Sequence, residues 1–186
     1  MSASLTNSCT VSSARLFDAK EERYEYSPLR NHASIRLLTL LPAAVGTPLR
    51  CHIIECQGRS DTTYEALSYT WNDPVFPEAI YVCDTADQKE RSVPITENLY
   101  NALRRLRATV PRTLWIDALC IDQSNLQEKG HQVAYMGRIY CEASCVIVWL
   151  GEDQIYPRTK ANLLRGSDTF SNLGPKEYGE LATISW

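Results

Sequence analysis

Apolar residues first gather in "SIRLLTLLPAAVGTPLRCHIIEC", as two short β-type runs over residues 35–40 and 50–56 with a Pro- and Gly-bearing link between them. Runs of that length, bounded by turn residues, predict a β-hairpin. "YEALSYTWNDP", residues 64–74, begins half-apolar and ends in Asn-Asp-Pro. Because a proline ring disfavours helix in the residue before it, a strand over 64–71 feeding a loop is expected. "AIYVC", 79–83, is a further β-type run, a strand or one arm of a hairpin, and the polar "DTADQKERS" follows it.

The period then changes. Pro94 stops what precedes, Thr96 is placed to cap free backbone N–H groups, and Leu99, Ala102, Leu103 and Leu106 recur at helical spacing. The pattern predicts a helix over 96–108, with Arg104, Arg105 and Arg107 as its solvated, dipole-favoured end. After Pro111, "TLWIDALCI" is apolar without alternation, which predicts a strand over 114–121 covered on both faces. "DQSNLQEKGHQVAYMGRIYCEA" returns to helical period with a stripe of Val133, Met136, Ile139 and Tyr140, capped by Asp122 or Ser124. Gly130 and Gly137 weaken this helix by up to about 1 kcal/mol each relative to Ala. "CVIVWLGE" is the next buried strand, and "LATISW" near the end suggests one more element.

Two doubly covered strands joined by a helix follow βαβ logic, because parallel strands need a crossover. The fold class expected is α/β, a mainly parallel sheet flanked by helices, with an N-terminal β-hairpin. The chain divides into a flexible N-terminal segment (1–30), the hairpin (31–60), a core domain (61–152) and a C-terminal segment (153–186). That last segment loses the pattern and reads as the end of a truncated domain.

Composition narrows the function. With 186 residues, 44% of them hydrophobic, the chain can bury one core. A net charge of −3 and the lack of any basic block exclude a phosphate-backbone binder, so no nucleic-acid partner is expected. No apolar stretch reaches the roughly 20 residues of a membrane span, and "MSASLTNSCT" lacks a signal-peptide pattern. A soluble, cytoplasmic protein is expected. Seven cysteines without C-x-x-C spacing, beside three histidines, spell neither a disulfide framework nor a zinc site.

Candidate chemistry lies where open α/β sheets bind ligands, beyond the carboxyl ends of the strands. Asp122, Gln123, Ser124 and Asn125 occupy that place after the 114–121 strand; Asn72 and Asp73 occupy it after the 64–71 strand. Neighbouring strands would bring the two loops to one crevice. Asp117, read as lying within its strand, needs a partner or water. A raised pKa would make it a general acid or base, whereas a donor such as an Arg or a backbone N–H would make it structural. An Asp117/Asp122 metal dyad lacks a third ligand, so no metal is expected. Cys120, flanked by Leu119 and Ile121, reads as buried rather than as a nucleophile paired with His131, which reads as a surface residue.

"YEALSYTWNDP", "ITENLYNALRRLR" and "LWIDALCIDQSNLQEKGHQVAYMGRIYCEASCVIVWLG", in that order, resemble the HET (heterokaryon incompatibility) domain of filamentous fungi over about 64–151. The family usually carries Gly where this chain has Asn72, and Asn where it has Asp122. Asn72 tolerates left-handed backbone better than most residues. The resemblance implies fungal non-self recognition that ends in programmed cell death. It also implies a distant likeness to TIR domains, and with it a flavodoxin/TIR-like three-layer fold.

Two functions are then open. In one, Trp71, Asn72, Asp73, Asp117 and Gln123 to Asn125 form a surface that binds a protein partner or another copy of the chain. In the other, the same loops bind NAD as a substrate, no cofactor being assured, and Asp122 or Glu128 assists its cleavage. Glu177 and Glu180 are further acids for that role, and an inactive fragment is the remaining alternative.

Overall fold

The computed structural model describes residues 22–57, 62–151 and 181–184. In chain order these form β1 (Ser34–Leu40), β2 (Leu49–Gln57), β3 (Glu65–Tyr69), β4 (Glu78–Cys83), β5 (Glu90–Ile95), α1 (Glu97–Leu106), β6 (Arg112–Trp115), α2 (Asp117–Cys120), α3 (Leu126–Glu142), β7 (Cys145–Trp149) and β8 (Leu181–Ile184). The described strands make one sheet in the order β5-β4-β2-β1-β6-β3-β7-β8.

This is a mixed sheet, which corrects the expectation of a mainly parallel one flanked by helices. β1 pairs antiparallel with both β2 and β6, and the β4/β5 and β7/β8 pairs are antiparallel too. Parallel pairing is confined to β2/β4, β3/β6 and β3/β7. The βαβ logic holds locally, since α3 carries the chain from β6 to β7 on either side of β3. It was over-extended to the rest: the β1–β2 hairpin joins the middle of the sheet, and only α1 and α3 exceed one helical turn among the described residues.

The hairpin strands are found where predicted, and β1 is buried along almost its whole length. Leu37, Leu38, Leu40 and Leu49 join Leu67, Ile80, Leu103, Leu114 and Trp115 in the core. The sequence pattern does not predict β5, because Pro94 signals a stop. It pairs opposite Ala79 in an outer strand of the sheet, where a missing N–H is tolerated.

α1 matches its pattern: Thr96 caps it by accepting a bond from the Leu99 N–H (3.3 Å), and Leu99, Ala102, Leu103 and Leu106 face inward. Arg107 is not solvated as expected. Its guanidinium donates to the carbonyls of Ala44, Thr47 and Pro48, fastening the hairpin turn to the helix end.

The predicted strand over 114–121 is shorter. It ends at Trp115, and Asp117–Cys120 is one helical turn with Leu119 and Cys120 buried. A continuous apolar run cannot separate a strand from a buried helical turn, because both hide every residue. α3 is capped by Asn125, whose side chain accepts from the Glu128 N–H (3.1 Å), rather than by Asp122 or Ser124. Its inward side holds Ile139 and Gln132, while Val133 from the predicted stripe is half-exposed. No helix among the described residues is long and apolar enough to cross a membrane.

Candidate functional site

β3 and β6 lie side by side and parallel, Glu65 opposite Leu114 and Ala66 opposite Trp115, so their carboxyl ends open in the same direction. The chain leaving β3 reaches across to the chain leaving β6. Trp71 Nε1 donates to Asp117 Oδ2 at 2.9 Å, and the Ala118 N–H donates to Asp117 Oδ1 at 2.8 Å. Gln123 Nε2 donates to the Asp117 carbonyl at 2.9 Å, which folds the following loop back onto the same point. Asp117 therefore sits on the first turn of α2, not inside a strand as expected, and each of its carboxylate oxygens holds a donor.

Burial raises the Asp117 carboxyl above the usual aspartate range, while the Trp71 and Ala118 N–H groups pull it back. The nearby Tyr140 hydroxyl is pushed up to about 12 by burial and then by the Asp117 charge. Tyr69 is raised for the same two reasons, in the same order.

β7 completes this end of the sheet. Trp149 Nε1 donates to Asn98 Oδ1 (2.8 Å), and Asn98 Nδ2 donates to the Thr70 carbonyl (2.6 Å). The first turn of α1 is thus tied to two of the three parallel strands. Asn72 takes φ 56°, the left-handed conformation that its place in the turn demands. Beyond it the loop is exposed through Phe76, with Asp73 accepting the Val75 N–H at its carbonyl (2.7 Å) and Val75 and Phe76 facing solvent.

Residues 64–176 match the family described as heterokaryon incompatibility protein (HET). The chain belongs to the HET family. Heterokaryon incompatibility protein 6, OR allele, of Neurospora crassa is 36% identical over 152 residues, which is 76% of this chain and 22% of that protein. The chain spans about a fifth of the length of that relative. No solved structure matches it.

In this HET-family chain the first and third motif blocks are the two that meet at the Trp71–Asp117 bond. The middle block is α1, which joins them through Asn98. Asn98 was not singled out in the sequence, since a polar residue in the first turn of a helix resembles any solvated position.

The other candidate acids lie in different surroundings. Asp122 Oδ1 accepts from both the Ser124 N–H (3.0 Å) and the Ser124 hydroxyl (2.6 Å), a closed local turn. Ser124 and Asn125 are exposed, and Asn125 is committed to capping α3. Glu128 points inward: Oε1 accepts from Arg36 Nη1 (2.5 Å) and from the Asp122 N–H (2.8 Å), and Oε2 accepts from Arg36 Nη2 (3.0 Å). The Arg36 guanidinium also donates to the carbonyls of Ser27 (2.6 Å) and Cys120 (3.2 Å).

Trp71, Asp117 and Gln123 are therefore joined, whereas Glu128 belongs to a buried ion pair. Arg36 was overlooked, although a charged residue inside the apolar run "SIRLLTL" signals a buried partner. Cys120 is 1% exposed and its thiol is pushed up to about 12, chiefly by burial. Glu177 and Glu180 lie outside the described residues.

Proposed function

We propose that this chain acts in fungal non-self recognition as an interaction domain. Its docking surface would be the loop that leaves β3, and engagement there would start the signal that ends in cell death. The observation that carries the reading is the pairing of a fixed base with an apolar tip. Trp71 is bonded to Asp117, and a few residues on, Val75 and Phe76 are 64% and 43% exposed between Pro74 and Pro77. A loop held rigid at its root loses little entropy when its apolar tip is covered by a partner.

The test replaces Val75 and Phe76 with Asp and follows both assembly, by light scattering of the purified chain, and killing on expression in hyphae. Loss of both in a protein with unchanged circular dichroism is expected. A chain that remains monomeric at high concentration and still kills would sink the reading.

One observation favours a second reading, cleavage of NAD. The raised, half-buried carboxyl of Asp117 stands near Tyr69 and Tyr140 at the end of the sheet where ligands bind. Nicotinamide release from NAD that Asp117→Asn abolishes, in a folded protein, would support it. Release unchanged by that substitution would move the chemistry elsewhere.

A further inference from the structure

An open groove of about 670 Å³ separates residues 28–32 from the first turns of α3. On its two walls stand His32 and His131, both exposed, with ring centroids 4.4 Å apart and planes inclined at 49°. His131 Nε2 lies 3.0 Å from the His32 carbonyl oxygen. A carbonyl only accepts, so Nε2 carries the hydrogen and the lone pair of the neutral ring is on Nδ1. A metal-ligating histidine typically has this arrangement, in which the far N–H is held by a carbonyl and the near nitrogen is free. The ring nitrogens of His32 make no hydrogen bond to another described residue.

We propose that His32 and His131 form a binding site for a borderline divalent transition-metal ion such as zinc or nickel, with water in the remaining positions. Imidazole suits these ions, and a metal–nitrogen distance of about 2.0–2.1 Å lets one ion reach two rings whose centroids are this close. The His131 ring stays as its Nε2–H bond to the His32 carbonyl holds it, and the exposed His32 ring, which has no hydrogen bond to another described residue, turns about its side-chain bonds to bring a nitrogen to the same ion as His131 Nδ1. Arg30, a cation on the same wall, is paired with Glu55, its Nε 3.6 Å from Oε2. Among the described residues no three His, Cys, Asp or Glu side chains gather around one point, so the protein supplies two ligands and the site stays open. A bound ion would fasten residues 28–32 to α3 across the groove.

Calorimetric titration of the metal-free full chain with Zn²⁺, then with Ni²⁺, in a non-coordinating buffer with a phosphine reductant, tests this. One equivalent should bind, and His32→Ala and His131→Ala should each weaken binding by about tenfold or more. The remaining histidine, His52, is engaged through Nδ1 with the Cys83 carbonyl (2.7 Å), so His52→Ala should leave the affinity unchanged. Paramagnetic Ni²⁺ should broaden the His32 and His131 ring resonances of the unsubstituted protein first, a readout independent of any variant. No binding, binding that survives both substitutions, or binding that is lost in Cys141→Ser, which removes an exposed thiol, would overturn the proposal.

Discussion

Arg36 and Glu128 meet through two parallel hydrogen bonds of 2.5 and 3.0 Å, with side chains only 4% and 8% exposed. Removing one partner leaves a buried, uncompensated charge, which costs about 3–5 kcal/mol. Glu128→Gln should lower the urea midpoint accordingly. The double variant Arg36→Met with Glu128→Leu should recover only part of the loss, since it removes both charges but also takes the side-chain partners from the Ser27 and Cys120 carbonyls and the Asp122 N–H. A loss of killing in Glu128→Gln would then track unfolding rather than chemistry.

The bond from Trp71 to Asp117 makes a smaller and more local prediction. Trp71→Phe keeps the ring but removes the donor, leaving Asp117 Oδ2 without its partner. A cost of about 1–3 kcal/mol is expected in chemical denaturation. Trp71→Phe combined with Asp117→Asn should cost less than the two single changes added together, because they remove the same bond.

Asp117 also gives stability a pH dependence. Its folded carboxyl lies above the unfolded value of 3.8, so between the two the folded state binds more protons than the unfolded one. This contribution is fully present below 3.8 and is lost as pH rises through the higher folded value. Stability melts across that window should show a falling component in the parent protein that is missing in Asp117→Asn.

Asn72 at φ 56° separates backbone from side-chain effects. Asn72→Gly should leave the melting temperature nearly unchanged, whereas Asn72→Ala should cost about 1–2 kcal/mol for placing a Cβ in left-handed backbone. Thermal unfolding of the two variants side by side measures the difference.

Thiol reactivity should follow burial. Cys141 is exposed, while Cys120 is buried and its thiol is held up near 12. Alkylation at pH 8 should modify Cys141 in the native protein and spare Cys120 until denaturant is added, as peptide mass spectrometry would show.

Much of this was legible where a local signal decides the structure. Thr96 with Leu99, Ala102, Leu103 and Leu106 fixed α1, because a cap and a four-residue stripe act within one helix. That the loops after the two strands would share a crevice if those strands were neighbours was legible too, whereas the neighbouring itself was not, nor that the second strand ends at Trp115 instead of residue 121. What failed were inferences that needed partners distant in the chain. Nothing in "SIRLLTL" says that β1 will pair with β6 as well as β2, and that pairing is what seats the hairpin in the middle of the sheet. Glu128 looked like a free acid because Arg36, its partner, lies 92 residues away.

The seat of β3 between β6 and β7 delays its pairing during synthesis. β1 and β2 can close their hairpin as soon as both leave the ribosome, but β3 emerges long before either of its neighbours exists. Its two flanks are filled only when Arg112–Trp115 and then Cys145–Trp149 have been made. Until that point the half-apolar segment from Glu65 to Tyr69 is an open template in the growing chain, one that gains from protection against pairing with another nascent copy.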